Sequence, residues 1–310
     1  MFNLKYFLFT SLLLLFLFEV LIRVNDNTFR AWPKNPNSWT LYDSELGWKH
    51  KKNFKTLDEF KQDVHLNNYG LREDRDFLIG DFKIVALGDS YTFGDGVKSK
   101  ESWPTILGER INNEVANLGV CAYGLDQMIS WYNQLSLNAA PSLVILAMIE
   151  EDITRTNLTH WISGHRKNRL SASNGEFQLE FEDLPKVVHN EINFDRNGFL
   201  DFSRSYLLDR VTFGQTYKSR AYERANSLLK EFKRELSNEG TNLIIVKLSS
   251  FSPKFENILN DLKIEAFTCD SFDEVKGGRI SDTNPHPSAR GHQLISDCIQ
   301  KNVNWNDYLK

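Results

Sequence analysis

The stretch Lys83-Ile84-Val85-Ala86-Leu87-Gly88-Asp89-Ser90-Tyr91-Thr92-Phe93-Gly94 decides how the chain is read. Lys83–Leu87 is a short run with no polar alternation, the pattern of a strand covered on both faces. Gly88-Asp89-Ser90 then breaks it abruptly. Moving outward, Trp103–Asn112 has helical spacing, Val115–Leu118 is a second apolar run, Leu125–Asn138 is helical again and Leu143–Ile149 is a third buried strand. The rhythm returns with a helix over Lys218–Ser237, a strand over Asn242–Leu248, a short helix near Phe255–Leu262, a strand over Ile264–Thr268 and a last helix after the N-cap candidate Ser288. Short apolar runs alternating with helices predict βαβ units and a doubly wound α/β parallel sheet over residues 81–310. Residues 155–210 interrupt the alternation with turn residues and scattered aromatics such as Trp161, Phe177 and Phe181, and read as an insertion whose aromatics pack it onto the domain. Residues 25–80, which include Leu46-Gly47-Trp48 and Asn68-Tyr69-Gly70-Leu71-Arg72, read as an irregular collar.

The 310 residues suffice for one or two domains, and 41% hydrophobic with 25% charged residues excludes a disordered or low-complexity chain. With 37 Lys and Arg against 41 Asp and Glu, net −4, there is no basic footprint for nucleic acid, and a neutral substrate fits better than an anionic one. Cys121, Cys269 and Cys298 form no Cys-x-x-Cys pattern and allow at most one bridge.

Tyr6–Ile22 is a 17-residue apolar segment broken only by Glu19, at the short end of a spanning helix. Glu19–Arg30 offers no Ala or Gly for signal cleavage, so residues 1–24 are expected to be an uncleaved signal anchor rather than a cleaved signal or a buried helix. The domain is then extracytoplasmic, periplasmic or extracellular, on a single-pass membrane protein. In that oxidising location Cys269 and Cys298, one on each side of His286, can pair.

Ser90 sits just beyond the first parallel strand, where open α/β sheets place their ligands, and is the candidate nucleophile. Near the other end, in Asp282-Thr283-Asn284-Pro285-His286-Pro287-Ser288-Ala289-Arg290-Gly291-His292, two prolines hold the backbone around His286 extended and present its imidazole as a general base. His292 falls in the following helix and reads as structural.

These two motifs, in this order, resemble the SGNH (GDSL-type) hydrolase family, and the collar phrases resemble its membrane-anchored bacterial members. The resemblance implies a flavodoxin-like sheet, a Ser–His–Asp triad acting on acyl esters and no cofactor or metal. It assigns the acid to Asp282, although the family's usual position is held by Thr283; Asp270 and Asp273 are the alternatives. It assigns the oxyanion hole to Ser90, to Ala122 where the family has glycine, and to Glu151 where the family has asparagine. A carboxylate at that place repels an oxyanion, so Glu151 is expected to slow the reaction unless burial beside Glu150 and Asp152 protonates it.

Three readings follow. The first is an anchored serine esterase or acyl transferase for an ester-linked acyl group on a cell-surface glycan or lipid. The second is a catalytically impaired relative that binds a glycan or a partner, supported by Ala122 and Glu151. The third, a cation site at Glu150-Glu151-Asp152, is weakened because neighbours on a strand face opposite ways.

Overall fold

The structure, a computed structural model, describes residues 39–58, 60–74, 76, 83–135, 141–158, 167–180 and 214–309, together with helical residues 5, 6, 9–11, 13, 14 and 17. Five parallel strands form the central sheet: β5 (Ile84–Gly88), β6 (Val115–Gly119), β7 (Leu143–Met148), β10 (Asn242–Lys247) and β11 (Glu265–Thr268), in the spatial order β11-β10-β7-β5-β6. The chain leaves β5 toward β6 on one side and returns to β7 on the other, which is the flavodoxin-like winding expected from the alternation.

Residue parity divides the core. Val85, Leu87, Val144, Leu146 and Ile245 face one layer, which holds helices α3 (Leu125–Gln134) and α5 (Gly214–Asn238). Ile84, Ala86, Ile145, Ala147, Ile244 and Val246 face the other, which holds α2 (Trp103–Ile111) and α7 (Ala289–Asn302) through Trp103, Leu107, Ile295 and Ile299. Period-two alternation on strands buried on both faces explains why the sequence showed no polar stripe there. The C-terminal helix starts as expected, with the Ser288 side chain accepting from the Gly291 N–H at 3.2 Å.

Two regions differ from expectation. The collar is not irregular where it is described: β1 (Thr40–Asp43) pairs with β2 (Gly47–His50) and β3 (Phe54–Leu57) with β4 (Asp63–Leu66), each antiparallel. These strands are four residues long, too short for a legible period. The described part of the insertion is a hairpin of β8 (Leu170–Ser173) and β9 (Glu176–Leu179). Leu170, Ala172, Phe177 and Leu179 pack it against the first core layer, the role expected of its aromatics. Trp161 and Phe181 lie outside the described residues.

Most of the anchor expected over residues 1–24 also lies outside the described residues; among those described, no helix is long and apolar enough to cross a membrane. Tyr6, Phe9, Leu13, Leu14 and Leu17 are helical and exposed.

Candidate active site

The turn after β5 is built by three adjacent residues with different tasks. Gly88 gives close approach: a Cβ there would meet Thr92 Oγ1 at 2.1 Å and the Ala147 carbonyl at 2.7 Å. Asp89 caps the single helical turn α1 (Ser90–Phe93), accepting from the Tyr91 N–H at 2.9 Å. Ser90 opens that turn at the carboxyl end of β5, beside the point where the winding reverses.

His286 comes from a peripheral hairpin, β12 (Arg279–Ser281) paired with β13 (Asn284–Pro287). Its Nε2 lies 2.9 Å from Ser90 Oγ, and its Nδ1 lies 2.7 Å from Asn284 Oδ1. The proton positions follow from one further contact. The His286 backbone N–H, which can only donate, also meets Asn284 Oδ1 at 3.1 Å, so that atom is the amide oxygen. An oxygen facing Nδ1 requires Nδ1 to carry the hydrogen, and in the neutral ring Nε2 is then the nitrogen that accepts from Ser90 Oγ–H. The structure therefore holds the tautomer in which the imidazole can take the serine proton.

Asp282 does not occupy the place behind the ring. Ser281 pairs with Asn284 across the hairpin, so 282 and 283 form its exposed tip. Asn284 and His286 are two residues apart on one strand and share a face, which Asp282 at the turn does not. Of the alternatives, Asp273 is engaged with Arg279 at 2.7 Å, and Asp270 stands at the start of a single 3₁₀ turn. Sequence reasoning missed Asn284 because it sought a carboxylate; the signal was the i, i+2 spacing on a proline-extended strand.

Ala122 adopts a φ of +68°, the left-handed conformation a glycine takes without cost. Among the described residues no acceptor meets its amide N–H. Glu151 is the second residue of helix α4 (Glu150–Arg155), not a strand residue; its side chain is 75% exposed and lies 3.4 Å from the Arg155 guanidinium. So placed, it stands at the surface beside Arg155. The buried acid of the trio is Asp152, at 0% exposure. Burial pushes its carboxyl well up, the charge of Asp89 acts the same way, and Arg155 opposes both. Glu150 turns aside to accept from Tyr222 Oη at 2.5 Å and the Ser252 N–H at 3.1 Å. Among the described residues no group of three His, Cys, Asp or Glu is placed to hold a metal ion.

Two arginines to which the sequence assigned no role tie the site together. Arg155, 10% exposed, reaches Asp89 at 3.0 Å, the Tyr123 carbonyl at 3.2 Å and Asp152 at 2.6 Å, joining the ends of β5, β6 and β7. Burial would lower its guanidinium's affinity for the proton, but Asp152 and Asp89 outweigh that and hold the charge firmly. Arg72, from the collar, is fully buried; it donates to the carbonyls of Phe93, Gly94, Val97 and Asp63 and lies over the Phe93 ring. The collar grips the Ala122 loop too: Trp48 Nε1 donates to the Cys121 carbonyl at 3.1 Å, and Tyr123 Oη donates to the Trp48 carbonyl at 2.6 Å.

Cys269 and Cys298 form a disulfide across the His286 segment, with Cα atoms 5.7 Å apart. His292 is structural: its Nδ1 accepts from the Trp103 N–H at 3.2 Å, and burial, aided by Arg72 and His286, lowers it to about 3.

A serine hydroxyl and an imidazole 2.9 Å apart at the carboxyl edge of a flavodoxin-like sheet form the arrangement that nucleophilic hydrolysis uses. Residues 84–299 match the GDSL-like Lipase/Acylhydrolase family model, and the chain belongs to that family. Among solved structures, it is similar to a lipolytic protein of the G-D-S-L family from Desulfitobacterium hafniense DCB-2, described there as putative. The identity is 15% over 71% of this chain and 98% of that one, with a TM-score of 0.40. A psychrotrophic esterase EstA from Pseudoalteromonas sp. shares 10% over 70% and 94%, with a TM-score of 0.43. A catalytic mutant of Axe2, an acetylxylan esterase from Geobacillus stearothermophilus, shares 8% over 74% and 97%, with a TM-score of 0.40. No curated protein matches the sequence.

Proposed function

We propose that the chain is a serine esterase or acyl transferase that removes or moves an ester-linked acyl group on a cell-surface glycan or lipid, from a membrane-anchored, extracytoplasmic position. The observation that carries the reading is the 2.9 Å contact between Ser90 Oγ and His286 Nε2. Ser90 Oγ attacks the acyl carbon while its proton passes to Nε2, and the carbonyl electron pair moves onto the oxygen. The oxyanion is received by the amides of Ser90 and Ala122. Collapse expels the alkoxide, which takes the proton from Nε2; water or an acceptor hydroxyl then repeats the sequence on the acyl-serine. Asn284 orients the ring as the neutral third member. The anchor rests on the apolar run of residues 6–22, and the compartment is supported by the Cys269–Cys298 bridge, since structural disulfides persist where the environment oxidises.

The test is reaction of the full chain with a fluorophosphonate probe and turnover of short-chain nitrophenyl esters and acetylated glycans. Wild type should be labelled and active. Ser90→Ala should lose labelling and roughly 10⁴-fold or more of turnover. An unlabelled wild type would leave the second reading, a binding protein on a hydrolase fold.

A further inference from the structure

The neutral Asn284 behind the imidazole leaves the reaction short of a charge. When Nε2 takes the Ser90 proton, the ring becomes an imidazolium, and an amide oxygen orients it without balancing it. A carboxylate does stand nearby, on the other side. Asp95 Oδ2 is 4.0 Å from His286 Nε2, the nitrogen that receives the proton.

The loop that carries Asp95 is fixed. Gly94 and Gly96 flank it with φ of +84° and +82°. The Asp95 N–H donates to the Ser90 carbonyl at 3.1 Å, the Gly96 N–H donates to Asp58 at 3.2 Å, and Arg72 gathers the carbonyls of Phe93, Gly94 and Val97. A Cβ on Gly96 would meet Ile280 Cδ1 at 2.3 Å, so this loop sits directly against the hairpin that bears His286.

The other ionisable groups around the ring have their own contacts, and Asp95 itself also feels the charge of Arg72. Tyr91 lies 5.1 Å away ring to ring, donates to the Pro285 carbonyl, and is pushed up by burial and by Asp89. Asp273 and Arg279 pair with each other, Asp282 is exposed at the hairpin tip, and Glu151 and Asp89 meet Arg155. His292 is buried and neutral, and Arg72 lies beneath the Asp95 loop.

We propose that Asp95 supplies His286 with the negative charge that Asn284 withholds, stabilising the imidazolium from the Ser90 side of the ring. This rests on the esterase reading for its catalytic meaning, but the charge coupling is measurable without turnover. Asp95 acts through His286 and is a charge-stabilising residue, not a catalytic one. Placed beside the serine, its carboxylate also disfavours esters that carry an anion next to the scissile bond.

The experiment moves the charge from one side of the ring to the other. In the full chain, Asp95→Asn should lower kcat on nitrophenyl acetate roughly tenfold, with KM little changed, and shift the acid limb of the pH profile down by on the order of one pH unit. Adding Asn284→Asp should restore kcat to within about threefold and return the limb, because the carboxylate then sits behind Nδ1. NMR titration of the His286 ring should show its midpoint fall in Asp95→Asn, rise in Asn284→Asp alone and recover in the double variant. A residue that merely placed the loop would give a kcat loss with no shift of midpoint and no rescue, which overturns the proposal. If wild type lacks turnover and labelling while the midpoints move as stated, the esterase reading fails and the charge coupling stands.

Discussion

The two halves of the candidate site are held in opposite ways. Ser90 stands at the end of a central strand, its turn fixed by Asp89, Arg155 and Arg72 in the buried interior. His286 stands on a two-stranded hairpin at the periphery, with an exposed tip and a Tyr91 hydroxyl reaching across to the Pro285 carbonyl. A disulfide does for the second half what buried guanidinium groups do for the first. One half is therefore sensitive to unpaired charge and the other to loss of a covalent loop.

Removing Arg155 should produce the largest effect. Arg155→Met leaves Asp89 and Asp152 buried beside each other without their shared cation, a loss of about 3–5 kcal/mol that urea unfolding would read, with the Ser90 turn disordered in consequence. Cutting the staple comes next. The bridge closes a sequence separation of 29 residues, and Cys269→Ser with Cys298→Ser should cost about 3–4 kcal/mol by the chain-entropy relation. Amide exchange should then speed up over residues 279–287 while β5 and α1 stay protected; equal loosening of both halves would erase the contrast drawn here.

Acid reaches both halves at once. His50, against the Phe93 ring on the Ser90 side, and His292, in helix α7 just after the His286 hairpin, are each lowered from 6.5 to about 3, by burial first. Both are neutral when folded, while the unfolded chain binds protons below 6.5. Stability is thus complete above that pH and declines as pH falls toward about 3, by up to about 1.4 kcal/mol per pH unit for each histidine. Denaturation midpoints measured from pH 7 to pH 4 should show this slope. The smallest effect belongs to Glu151→Gln: an exposed ion pair is worth under about 1 kcal/mol, and turnover should change by less than about threefold. A large gain in turnover would return Glu151 to the oxyanion.

The sheet was legible because strands buried on both faces are written in apolar residues, and Ser90 and His286 because each follows a recognisable break in that pattern. What escaped was set by contacts distant in sequence. Asp282 looked like the orienting acid by proximity, but the hairpin turn exposes it and strand alternation brings Asn284 under the ring. Glu151 looked like a failed donor, but the chain enters helix α4 one residue earlier, which sends Glu151 to solvent and Asp152 inward. Arg155 gave no signal, since a single buried cation has no period, and Arg72 stood only at the end of a collar phrase that assigned it no role. Their partners are mostly carbonyls, which every sequence contains.

The grip of Arg72 has a consequence for how this protein can be divided. The shared family region starts at residue 84, yet the carbonyls beside the Ser90 turn are held from residue 72, and the Ala122 loop from residue 48. What is inherited in common and what must fold together are different lengths of chain. A fragment trimmed to the family's limits would keep every reacting group and lose the hands that hold them, so the minimal working piece has to begin upstream of the first collar hairpin.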